Sequence, residues 1–148
     1  MKPIIYDAVG GIAGLTDLAR AWHKRCLADP VVSHAFSHGF HPNHAERLAA
    51  YWSEALGGPA SYTESIGDES SVVKLHSGNG VHTELDERAI DCFAQALDDI
   101  HLSDDAELRK TMMEYFRWAT RSMTKYSESA EHVPPNLPLP KWTWEGPA

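Results

Sequence analysis

Four stretches of this chain repeat apolar residues at helical spacing, and no two stretches alternate as paired strands would. Leu15, Leu18, Ala19, Trp22 and Cys26 form the first stripe, and Leu48, Tyr51, Trp52 and Ala55 the second. Leu85, Ala89, Ile90, Phe93, Ala96 and Leu97 form the third, and Met112, Tyr115, Phe116, Ala119 and Met123 the fourth. Spacings of three and four put each set on one face of a helix. Val72 to His76 could be a short strand or one helical turn, but a strand would have no partner, so helix is the reading taken. The chain is therefore expected to be all-α.

Turn formers set the boundaries. Gly10-Gly11 reads as a turn, after which Thr16 caps a helix to about Ala28. Asp29-Pro30 ends that helix, because proline disfavours helix in the residue before it. A short turn runs from Val31 to Phe36, followed by a loop from Ser37 to Pro42. Pro42 can open the second helix, which Gly57-Gly58-Pro59 stops after about Leu56. Residues 60–71 read as a polar loop. Thr83 caps the third helix to about Ile100, with Glu84, Asp86 and Glu87 at the positive end of its dipole. Ser103-Asp104-Asp105 begins the fourth, to about Tyr126. From Val133 to Trp144 the prolines exclude helix, so this tail should run extended with Trp142 and Trp144 packed down.

A length of 148 residues suits one domain with a buried core. The net charge of -8 argues against a basic nucleic-acid face and against docking on an anionic membrane. No apolar run approaches the ~20 residues of a membrane span, and no secretory h-region is seen at the start, so a cytoplasmic protein is expected. Cys26 and Cys92 match no paired-thiol metal motif and read as buried free thiols.

Nine histidines are many for this length. His76 ends an apolar run and precedes Ser77-Gly78-Asn79-Gly80. By its neighbours alone it reads first as a partly exposed histidine closing a helical turn. The glycines add a second reading, a backbone able to wrap closely round a large flat ligand. His23 borders the first stripe beside Trp22, and His44 lies one turn before Leu48. Each alone reads first as an ordinary boundary or capping residue. His34, His38, His41 and His44 recur three or four apart, which on one helix could share a metal. Gly39 and Pro42 interrupt any such helix, and no matching carboxylates repeat elsewhere. Nucleophile-elbow, phosphate-loop, zinc-protease and dinucleotide motifs are all missing from the sequence.

Taken together, several pieces resemble the truncated haemoglobins. They are Tyr6-Asp7-Ala8-Val9-Gly10-Gly11, Ala28-Asp29-Pro30-Val31, Gly57-Gly58-Pro59 followed by Tyr62, and then His76. Tyr51-Trp52 and the Gly57–Tyr62 portion are most similar to group II. The likeness covers roughly residues 4–126. It implies a truncated globin domain over 1–132, with 133–148 as an extension packed on it.

The resemblance implies a globin-like two-over-two helical sandwich enclosing haem b, with His76 as the proximal iron ligand. Phe36 matches the aromatic residue that packs on the haem. Arg47, Tyr62 and Lys74 match positions near its propionates. His44 falls at the distal position that gates or contacts bound ligand, with Leu48 one turn later. His23 stands where most of the family has tyrosine, and Ala89 where group II usually has tryptophan. The chain thus exchanges two fixed donors for a titratable imidazole and a methyl that leaves a larger cavity. The proton on the other ring nitrogen of His76 is expected on a carbonyl of the following loop.

The implied function is binding or transport of O2, CO or NO at haem iron opposite His76. A sharper form has His44, or failing that His23, bind the iron directly at rest. A second class is enzymatic, a peroxidase or NO dioxygenase fed by an unidentified electron donor. A third is a non-haem helical metal or interaction module using the His34–His44 cluster or the Trp142/Trp144 tail. Monomer and homodimer are both open.

Overall fold

The computed structural model describes residues 2–37, 39–78, 80 and 82–148. Its first helix, α1, is a single turn at Ile5–Ala8. Gly10 follows it at φ +96° and Gly11 at φ +67°, left-handed values that an L side chain rarely adopts. The long helix α2, Gly11–Ala28, therefore starts earlier than the expected Thr16 cap. The Thr16 hydroxyl instead donates back to the Ile12 carbonyl at 2.7 Å, inside the helix.

Asp29 ends α2, and its carboxylate accepts from the backbone N–H groups of Val31 (2.8 Å) and Val32 (2.9 Å). These bonds cap the tight turn Val32–Phe36. Helix α3 spans His44–Ala55, two residues after the proline expected to open it. Ala49 to Ala55 are all buried. Gly58 then crosses so close that an added Cβ would lie 2.6 Å from the Tyr6 ring and 2.8 Å from the Ser53 carbonyl.

The polar stretch expected to be loop contains a short helix, α4, at Ser61–Ser65. Buried Glu54 reaches across to it, accepting from the Thr63 N–H (2.9 Å) and hydroxyl (2.8 Å). Helix α5, Glu69–Leu75, is longer than the single turn expected at Val72 to His76. Asp68 caps it by accepting from the Ser71 N–H at 2.8 Å. Helix α6 is Thr83–Asp99, with His82 and not Thr83 at its N-cap. Helix α7 is Ala106–Met123, capped by Asp105 through the Leu108 N–H at 3.1 Å. Of the three residues expected to begin it, Ser103 and Asp104 lie in a separate tight turn, Leu102–Asp104, and Asp105 is the N-cap.

The main contacts join α2 to α3, α2 to α6 and α6 to α7. One layer is α2 with α3, and the other is α6 with α7. An aromatic centre joins the layers. Phe93 and Phe116 stack at 4.1 Å between centroids, and Trp52 meets Phe93 edge-on at 5.5 Å. Trp22 meets Phe116 at 5.7 Å and Trp52 at 6.3 Å. Cys26 and Cys92 are free thiols buried with Val32 in a smaller cluster. No described helix is long and apolar enough to cross a membrane.

The tail is more ordered than an extended run. A tight turn at Ala130–His132 leads into it, and β1, Trp142–Thr143, pairs antiparallel with β2, Gly146–Pro147. Trp142 is buried against Tyr115 and Trp118, and its indole N–H donates to the Thr111 hydroxyl at 3.3 Å. The Trp144 indole N–H donates to the Pro3 carbonyl at 2.8 Å, so the two chain ends meet.

Candidate functional site

His76 is the residue just past α5, where the last helical carbonyls lack helical N–H partners. Its Nδ1 lies 2.8 Å from the Val72 carbonyl, one turn back. A carbonyl oxygen only accepts, so Nδ1 carries the proton and Nε2 keeps its lone pair. The partner expected in the following loop is thus found in the preceding turn. Ser77 repeats the geometry, its hydroxyl donating to the Val73 carbonyl at 2.6 Å. The imidazole is exposed, and neighbouring Leu75 is 79% exposed, an apolar side chain left open to solvent.

His23, from α2, and His44, at the start of α3, have ring centroids 4.8 Å apart. Phe36 packs edge-on against both, at 5.1 Å from His23 and 5.4 Å from His44. Phe40 adds a further ring, 4.5 Å from His23. Both nitrogens of His23 and Nδ1 of His44 are buried without a hydrogen-bond partner. An unmet buried nitrogen costs about 1–3 kcal/mol, so this cluster is built for a polar guest. Burial lowers the pKa of His23. It is also the main cause of the lowered pKa of His44, with lesser contributions from the charges of His23, His76 and Arg47. Both shifts favour the neutral imidazole. His76 and Arg47 thus lie within electrostatic reach of His44.

Arg47 and Lys74 have no ion-pair partner among the described residues. Tyr62 is buried, which raises its hydroxyl pKa, and the nearby Arg47 guanidinium opposes that rise. Leu48 is half-buried and packs on the main core. Two unpaired cations, a free imidazole lone pair and unmet imidazole nitrogens fit a flat apolar group carrying anionic arms and a metal. Haem has that chemistry.

Ala89 packs on the cluster of Cys26, Val32 and Cys92, as do Trp22 and Phe36. The Trp22 indole N–H donates to the Ala89 carbonyl at 3.1 Å. The room expected beside the Ala89 methyl is thus next to an indole supplied by α2. The other histidines do not join the site as a cluster. His34 is exposed, His41 accepts from the Asn43 N–H through Nδ1 at 3.0 Å, and His38 lies outside the described residues. Among the described residues no three His, Cys, Asp or Glu side chains converge as metal ligands.

The sequence reading missed Phe40 and the Val72 carbonyl. Four-residue spacing back from His76 would have pointed to Val72. Phe40 lies in an irregular segment with no periodic signal. A buried pair was also missed: the Tyr51 hydroxyl donates to Glu69 at 2.6 Å, joining α3 to α5.

The family model for bacterial-like globins matches residues 4–124. Among solved structures, the thermostable haemoglobin of the actinobacterium Thermobifida fusca is 27% identical, covering 91% of this chain and 100% of its own, with TM-score 0.68. The haemoglobin of the thermophilic phototroph Chloroflexus aurantiacus is 24% identical, covering 84% and 99%, with TM-score 0.69. The group II truncated haemoglobin of Bacillus anthracis is 21% identical, covering 86% and 95%, with TM-score 0.70. No curated protein sequence gives a match.

Proposed function

The chain belongs to the bacterial-like globin family, a haem-binding family, and on that premise we propose that it holds haem b through His76 and binds diatomic gases. The observation that carries this reading is the Nδ1–H bond of His76 to the Val72 carbonyl. It fixes the tautomer and leaves the Nε2 lone pair as an iron ligand. When bound, haem supplies an iron centre able to take O2, CO or NO.

The chain's own residues then divide the remaining work. Arg47 and Lys74 attract the propionates, with the Tyr62 hydroxyl beside Arg47. Phe36 and Leu48 give apolar contact and exclude water. His44 and His23 face the ligand side as neutral imidazoles, each able to donate from one nitrogen and accept at the other. Their unmet nitrogens also support a sharper reading, in which His44, or His23 in its place, ligates iron at rest. The same neutral imidazoles could take up a proton from peroxide, which keeps a peroxidase reading as the second candidate.

Addition of hemin to the purified protein is the direct test. The expected result is a Soret band in the wild type and no stable uptake by His76→Ala. A wild-type protein that takes up no hemin would overturn the reading. The ferrous, ligand-free spectrum then separates the two coordination states, since a five-coordinate high-spin band excludes ligation by His44 or His23.

A further inference from the structure

Helix α5 carries His76 and is held from two sides, by the Tyr51–Glu69 bond from α3 and by the segment that follows α7. Its seven residues are too few to hold a helix unaided, because isolated helices under ~12 residues are marginal in water. Its most extensive backbone neighbour among the described elements is the turn Ala130–His132. That turn and everything after it lie beyond the family match, which ends at residue 124.

The bonds are specific. Ser70, 6% exposed, donates its hydroxyl to the Pro134 carbonyl at 2.8 Å and accepts from the Leu137 N–H at 3.0 Å. The loop leaving His76 is tied as well, with the Gly78 N–H on the Tyr126 carbonyl (3.1 Å) and the Gly80 N–H on the Ser127 carbonyl (2.8 Å). The strap is itself anchored in the core by Val133, Leu139 and Trp142, all buried. Lys141 secures it further through buried Glu54 at 3.4 Å. Ser70 and His76 are six residues apart, which on a helix is about 120° of rotation. The strap therefore grips a different side of α5 from the one His76 extends.

We propose that Ser70 and the C-terminal strap are positioning elements for His76, fixing the direction and height at which its Nε2 meets bound haem. This rests on the haem-binding reading above. Replacing Ser70 by alanine would leave the Pro134 carbonyl and the Leu137 N–H unpaired and free α5 to shift.

The test compares Ser70→Ala, Ser70→Thr and Trp144→Ala with the wild type. The Ser70→Thr change retains the hydroxyl, and Trp144 belongs to the tail but bonds Pro3 and not α5. The first readout is the iron–histidine stretching band of the haem-loaded ferrous protein, recorded after photolysis of its CO complex. It should shift or broaden in Ser70→Ala, return in Ser70→Thr and stay unchanged in Trp144→Ala. The second readout is amide hydrogen exchange of α5 in the haem-free chain. Ser70→Ala should speed it roughly tenfold or more, and Ser70→Thr should not. A loaded Ser70→Ala protein with the wild-type band overturns the proposal alone. So does a Ser70→Thr protein that fails to restore it. Failure of the wild type to take up haem overturns the haem reading and the proposal with it.

Discussion

Glu69 shows how far one side chain can be read. Its carboxyl is buried and its pKa is pushed up to about 7, chiefly by desolvation, with Asp68 adding to the rise and the Tyr51 bond opposing it. Tyr115 and Tyr62, from α7 and α4, also lie within its electrostatic reach. The folded protein therefore holds this proton more tightly than the unfolded chain, whose ordinary value is 4.5. Stability from this group is full below that value and falls as pH rises through it to about 7. The loss is on the order of 3 kcal/mol. Glu69→Gln keeps an acceptor for the Tyr51 hydroxyl and removes the charge. Thermal melts should show the variant more stable at pH 8 and the difference vanishing towards pH 4.5; equal melts at pH 8 would count against a raised Glu69 pKa. None of this was legible in the sequence, because Tyr51 and Glu69 are 18 residues apart and only the fold brings them together. The histidines were legible as candidates, since type and neighbours are local. Their grouping was not local, and family likeness suggested it before any distance did.

At the scale of elements, the stripes of α2, α3, α6 and α7 were readable because burial repeats with the helical period. Their ends were less so. The left-handed Gly10 lets α2 begin before Thr16, and the cap of α7 falls on Asp105, the last of the three residues expected to begin it. Helix α5 was under-read for a similar reason. Its first turn is polar, with Glu69, Ser70 and Ser71, and only the Asp68 cap marks where it starts. Asp68 accepts from both the N–H and the hydroxyl of Ser71, at 2.8 Å and 3.0 Å. Asp68→Ala should cost about 1 kcal/mol. In so short a helix that loss is expected locally, as roughly fivefold faster amide exchange across α5 with little change in α7. Uniform acceleration over the whole chain would contradict local capping.

Across the whole molecule, the aromatic centre makes four helices one body, and the tail closes around them. The packing of Trp142 followed from its composition, because a large apolar ring in a proline-rich segment has to find cover. The β1–β2 hairpin did not, since it depends on Gly146 at φ +109°. Trp142 lies against Tyr115 and Trp118 and bonds Thr111. Trp142→Ala should cost about 3–5 kcal/mol, a large share of the ~5–15 kcal/mol that holds a domain folded. Calorimetry should show a clear fall in melting temperature, and an unchanged one would mean that the tail does not belong to the cooperative unit. The strap also sets an order of events during synthesis. Chains emerge from the ribosome N-terminus first, so the four long helices can assemble while the residues that grip α5 are still being made. His76 would then reach its final aim only once the residues from Tyr126 to Trp142 have been made and have docked, which would place haem capture after the strap and not with the assembly of the four long helices.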